Sequence, residues 1–201
     1  MLIEAGLTLA VVGLVAKAAN DYRRRRMAPS GTSQVTISNR VMRGPTGATY
    51  TLTDDDLLWL ARAVNGETGT KARGGAAVCW ALAQNFLLVG RQPPRMTPFS
   101  RLIRNYCQPV NPAWADPNGA KCQRSPSACT PDKIRRRALI TNMAWDAIPA
   151  SIRTLVTNFA AGTVPNPIPG LTDWATPRWG ADNIEIDGNF FGRNTSRTYV
   201  A

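Results

Sequence analysis

Thr53-Asp54-Asp55-Asp56-Leu57-Leu58-Trp59-Leu60-Ala61-Arg62-Ala63-Val64-Asn65-Gly66-Glu67-Thr68-Gly69 is the stretch on which the fold turns. Thr53 with an acid three places on, Asp56, makes a capping box, and Asp54–Asp56 suit the positive end of a helix. Leu57, Leu58, Leu60, Ala61 and Val64 then recur at helical spacing, and Gly66 is expected to stop the helix. A globular domain is therefore expected over residues 52–201, opening on a helix.

Downstream, helices are expected over about 74–89, apolar nearly all round and so central, and from Thr97-Pro98 through Tyr106. A polar, Pro-rich loop covers 107–130. Further helices follow from Thr130 through Trp145 and from about Pro149 to Ala161, the last capped by Gly162. Ile184–Ile186 and Phe190–Phe191 are short strand candidates. Five helices and little strand predict an α+β, predominantly helical domain.

Upstream, Leu2–Ala19 is mostly apolar, and Arg23–Arg26 follow it. Residues 1–26 read as a hydrophobic and basic helix that anchors the chain to membrane lipid or to an assembly. The arginines would stay cytoplasmic if it spans a bilayer. Residues 27–51 are rich in Gly, Pro, Ser and Thr and read as a linker, with one strand conceivable at Gln34–Met42.

The chain has 201 residues and no histidine. That excludes Ser-His-Asp and Cys-His hydrolases and His-ligated zinc, so an enzyme here must work with a carboxylate, a Tyr or Lys, or a cofactor; a single-carboxylate reading needs neither metal nor cofactor. Only three of 13 acidic residues are glutamates: Glu4, Glu67 and Glu185. A formal net charge of +11 favours anionic partners, whether nucleic acid, lipid headgroups or acidic wall polymers. Cys79 lies in an apolar helical pattern and reads as core. Cys107, Cys122 and Cys129 bracket the 107–130 loop, where one disulfide is expected with its pairing open.

Glu67 stands near the carboxyl end of the first domain helix, where the dipole disfavours an anion. A carboxyl kept protonated near neutral pH in a cleft is a general acid. Most glycosidases need two carboxylates.

Leu60-Ala61-Arg62-Ala63-Val64-Asn65-Gly66-Glu67, Gly75-Ala76-Ala77-Val78 and Gln84-Asn85 together resemble the SleB-type cell wall hydrolases, the spore-cortex-lytic enzymes. In that family a Leu-Ala-Arg helix ends at a catalytic glutamate, and the next helix finishes in an asparagine. The likeness continues at Thr97-Pro98-Phe99-Ser100, at Pro169-Gly170-Leu171-Thr172-Asp173-Trp174 and at Ile186-Asp187-Gly188-Asn189-Phe190-Phe191, over about residues 54–192. Three positions depart from the pattern: no second acid follows Glu67, where Lys71 is the nearest charge. Phe86 replaces an arginine, and Asn189 a histidine.

The resemblance implies a lysozyme-like domain that cleaves the glycan strands of peptidoglycan by lytic transglycosylation. Glu67 would be the catalytic acid and base. Asn85, Ser100 and Tyr106 would orient glycan, while Trp174 and Asn189 would line the cleft. Among the loop tryptophans, Trp114, Trp174 and Trp179 suit sugar stacking. A wall-degrading domain without a convincing export signal fits delivery in a phage particle, acting at the host envelope. The competing expectations are a membrane-anchored bacterial enzyme, and a structural or nucleic-acid-binding virion protein that keeps an inactive hydrolase fold.

Overall fold

A computed structural model describes residues 34–88, 97–175 and 183–193. The 1–26 helix and Trp179 lie outside the described residues. Among the described residues no helix is long and apolar enough to cross a membrane.

The architecture is α+β and predominantly helical, with two small antiparallel sheets. The first sheet comprises β1 (Thr36–Ser38), β2 (Val41–Arg43) and β3 (Thr49–Thr51), in that order. Asn39 and Arg40 form the two-residue turn between β1 and β2, both at positive φ, 47° and 66°. Such a turn matches the twist of the paired strands. Asn favours that conformation, while Arg40 is held in it by its surroundings. Its N–H donates to the Ala160 carbonyl (2.7 Å), its carbonyl accepts from Leu52 N–H (2.8 Å), and its guanidinium meets Asp54 at 2.6 Å.

Residues 34–51, within the segment expected as a linker, form this sheet. Val35, Ile37 and Met42 are buried in the main core, and the compact unit begins at Gln34. The strands are only three residues long, so no alternation over a useful window marks them. A chain starting at Gln34 should therefore fold with the stability of the full-length domain. One starting at Thr51 should lose cooperative thermal unfolding, because three buried apolar side chains go with the sheet. A cooperative transition of unchanged midpoint in the shorter chain, followed by circular dichroism, would restore the linker reading.

The helices are α1 (Asp54–Thr68), α2 (Ala72–Leu88), α3 (Phe99–Tyr106), α4 (Ala120–Arg124), α5 (Pro131–Thr141) and α6 (Ala150–Ala161). α2 is the central rod: from Ala77 to Leu88 every residue is buried. α1 packs against α2, α3, α5 and α6. Gly162 ends α6 in the left-handed conformation, φ 85°, and a Cβ there would stand 2.0 Å from the Ile37 carbonyl oxygen. Glycine is thus required both by conformation and by the approach of β1.

Two helix ends and one loop differ from expectation. α1 runs past Gly66 to Thr68 and is capped by Gly69, φ 58°. α5 ends at Thr141 instead of Trp145. The 107–130 region contains α4 and three short 3-10 turns, at Gln108–Val110, Pro112–Trp114 and Pro126–Ala128. Cys122 pairs with Cys129 across this region, while Cys79 and Cys107 remain as buried thiols. Closing so short a loop contributes on the order of 2–3 kcal/mol in the chain-entropy model.

The second sheet holds β4 (Asp173–Ala175), β5 (Ile184–Ile186) and β6 (Asn189–Gly192), in the order β4-β6-β5. Asp187-Gly188 turns β5 into β6 with φ of 53° and 87°. The Asp187 carboxylate then accepts the Gly74 N–H at 2.7 Å, in the first turn of α2. An acid 113 residues away thereby satisfies a donor that the helix cannot satisfy itself.

Candidate active site

The site is built on the parallel course of α1 and α3. Asp56, fully buried in the capping box, accepts from Tyr50 O–H (2.9 Å), Thr53 N–H (2.9 Å) and Ser100 N–H (2.6 Å). One carboxylate thus pins β3, the start of α1 and the start of α3 together. Burial pushes the Tyr50 hydroxyl up to about 12, so it stays a donor. Both helices then run away from this knot, and the chain leaving α3 at Tyr106 arrives beside the last turn of α1.

Glu67 lies in that turn. The next element of the chain, the Gln108–Val110 turn, packs directly on α1 at Gly66, where a Cβ would stand 2.3 Å from Pro109 Cβ. That approach lets the Gln108 backbone N–H donate to the Glu67 carboxylate. From the other side, the Trp174 indole N–H donates to it as well. Burial is the largest influence and lifts the Glu67 carboxyl from its ordinary 4.5 to about 7, with the two donors partly opposing. No basic residue occupies the last turn of α1. Lys71 donates to the Asp187 carbonyl at 3.3 Å.

Behind Glu67 is the buried thiol of Cys107, held well above its usual range by burial and then by the Glu67 charge. Beside it, the Tyr106 hydroxyl donates to Asp173 Oδ1, and Thr172 Oγ1 donates to Asp173 Oδ2 at 2.5 Å. The Tyr106 and Trp174 rings lie 5.6 Å apart, and Trp174 faces Phe191 across the β4–β6 pair at 6.2 Å.

The residues expected from the sequence therefore divide. Glu67, Tyr106 and Trp174 are brought together. Asn189 opens β6 two residues from Phe191, on the sheet face that Trp174 shares. Asn85 is buried, and its amide donates to the Thr172 carbonyl at 3.2 Å, so it fixes the approach to β4 from within the core. Ser100 stands apart from Glu67. Its N–H is tied to Asp56, eleven residues up α1 from Glu67, or about 16 Å at helical rise. The Ser100 position begins a helix and stands outside the Glu67 cluster.

Sequence reasoning missed Gln108, which contributes only its backbone N–H, a group every non-proline residue carries. It also missed how Gln84 is used, described below. Of the other tryptophans, Trp80 is buried core, and its indole donates to the Val164 carbonyl at 3.2 Å. Arg62 (4.6 Å) and Arg104 (5.0 Å) both lie over the Trp59 ring, and Trp114 lies near Lys121 and Arg137. A groove lined by Arg40, Asp54, Leu58 and Trp145 lies at the opposite end of α1 from Glu67. Among the described residues, no three His, Cys, Asp or Glu side chains stand together as a metal site.

Comparisons with protein-family models, with curated proteins and with solved structures found no match to this chain.

Proposed function

We propose that this protein cleaves the glycan strands of peptidoglycan as a lytic transglycosylase on a lysozyme-like domain, with Glu67 as its single acid and base. The observation that carries the reading is a carboxyl near pKa 7, largely enclosed and held by two N–H donors. An acid of that strength is half protonated at neutral pH, where a proton can be both given and retaken. Burial alone would push it higher; the Trp174 and Gln108 donors stabilise the carboxylate left after the proton is given.

In this reaction protonated Glu67 gives its proton to the glycosidic oxygen as the bond from that oxygen to the anomeric carbon breaks. The carboxylate then takes a proton from a hydroxyl of the same sugar, whose oxygen closes onto the anomeric carbon. The product is an anhydro-sugar, no water is consumed, and Glu67 returns to its protonated form. Two further carboxylates, Asp173 and Asp187, already accept hydrogen bonds within the protein. Asp173 accepts from Tyr106 and Thr172, and Asp187 caps α2.

Carriage in a phage particle brings such an enzyme to the wall without secretion. The Leu2–Ala19 segment and the arginines after it suit attachment to lipid or to other particle proteins.

Digestion of purified sacculi with mass spectrometry of the products tests this reading. Anhydro-muramyl ends are expected, with a rate that is level below pH 7 and falls about tenfold per pH unit well above it. Reducing ends without anhydro ends would mean a second carboxylate activates water. No cleavage, together with salt-dependent DNA binding, would favour the nucleic-acid-binding alternative.

A further inference from the structure

We infer that Gln84 is a positioning residue: it fastens the segment 166–172 so that the following strand presents the Trp174 indole to Glu67. Gln84 is fully buried near the end of α2, in the middle of an otherwise apolar stretch. Its amide nitrogen donates to the carbonyls of Ile168 (3.1 Å) and Leu171 (2.7 Å). Its amide oxygen accepts from Asn166 Nδ2 (3.2 Å) and Gly170 N–H (2.5 Å). One side chain thus satisfies both donors and both acceptor positions of an amide within a single loop 82 to 87 residues away.

The placement explains why the core tolerates a glutamine. The segment 166–172 has no regular secondary structure, so its buried backbone groups need partners from elsewhere. Gln84 supplies them at three residues, and Asn85 supplies the next through Thr172. Arg193 holds the outside, donating to the Gly170 carbonyl at 2.8 Å. Beyond Thr172 the chain enters β4, and Trp174 is its second residue. An apolar residue at position 84 would leave two carbonyls, an N–H and an amide without these partners, and the segment would shift to find others. The indole N–H would then leave Glu67.

This inference rests on Glu67 as the acid only for its effect on cleavage; the contact itself is measurable without activity. The test compares wild type, Gln84→Met and Trp174→Phe by NMR of the Trp174 indole N–H and of the Glu67 carboxyl, beside sacculus clearing. In wild type the indole resonance should move as Glu67 titrates near pH 7. In Gln84→Met that movement should vanish, the Glu67 pKa should rise, and clearing should fall at least tenfold. The pKa direction follows because the lost bond is one that lowers it. The double variant should clear no more slowly than Trp174→Phe alone.

A folded Gln84→Met that keeps the indole coupling and the wild-type Glu67 pKa overturns the inference, whatever its clearing rate. Should Gln84→Met fail to fold, Asn166→Ala removes one of the four bonds and must shift the indole and the Glu67 pKa in the same directions, or the inference falls. If the couplings change as stated but Glu67→Gln clears sacculi normally, the positioning role stands and the catalytic reading of Glu67 fails.

Discussion

Glu67→Gln should slow sacculus clearing at least a hundredfold and, at pH 8, make the domain more heat-stable than wild type. The first effect follows from the loss of a transferable proton, since general acid–base catalysis contributes on the order of 10²–10⁴-fold. The second follows from burial. The Glu67 pKa is about 7 in the folded chain against 4.5 for an ordinary glutamate. Below the lower value the carboxyl is protonated in both states and contributes nothing to pH dependence. As pH rises from 4.5 to 7 the unfolded chain releases the proton and the folded chain retains it, so stability falls. Above 7 the loss levels off at roughly 3 kcal/mol.

Glutamine keeps the acceptor for Trp174 and Gln108 but cannot ionise. The variant should therefore unfold some 5–10 °C above wild type at pH 8 and together with it at pH 4. A helix-terminal position alone predicts almost no such effect, because the dipole contributes well under ~1 kcal/mol at an exposed site. Equal melting temperatures at pH 8 would mean that the carboxyl is not enclosed as described. Undiminished clearing would remove Glu67 from the reaction.

Gly66→Ala should be the most damaging conservative change near the site. Within a helix, alanine is ordinarily favoured over glycine by about 1 kcal/mol. Here the added methyl would lie 2.3 Å from Pro109 Cβ and 2.9 Å from its Cγ, and the proline ring cannot rotate aside. The Gln108–Val110 turn must lift, which costs about 1–3 kcal/mol as overpacking and draws the Gln108 N–H away from Glu67. Denaturant unfolding should show a net loss of stability in place of the propensity gain, and clearing should fall tenfold or more. A stabilised, fully active Gly66→Ala would show that the turn does not depend on this close approach.

Much of the helical skeleton was legible because its signals are local. Thr53 with Asp56 marked the start of α1, Gly162 the end of α6, and the apolar run after Gly74 the central α2. Cys79 read correctly as core. The first sheet was legible only as a single strand at Gln34–Met42, since three-residue strands interrupted by turns carry no usable period. Gly66 was misread for a physical reason: a helix-interior glycine resembles a stop signal when its packing partner, Pro109, is more than 40 residues away in the chain.

Within the site, Glu67 stood out near a helix end but was singled out by the family resemblance, and Trp174 by that resemblance and by its place in a loop. The separation of Ser100 from Glu67 was not legible, because motif order does not reveal that α3 begins at the far end of α1. Gln84 and Asn85 were both visible as polar residues in an apolar helix, yet their partners lie in a loop with no pattern of its own.

The sequence by itself determined the helical class, the absence of imidazole chemistry and the isolation of Glu67 from other glutamates. These depend on composition and on residues within one or two helical turns. The tertiary structure alone decided that Glu67 is largely enclosed, that Gln108 and Trp174 donate to it, that Asp173 accepts from Tyr106 and Thr172, and that Asp187 accepts from Gly74. Desolvation and hydrogen bonding depend on groups brought together from positions 67, 108 and 174. No spacing along the chain records those distances.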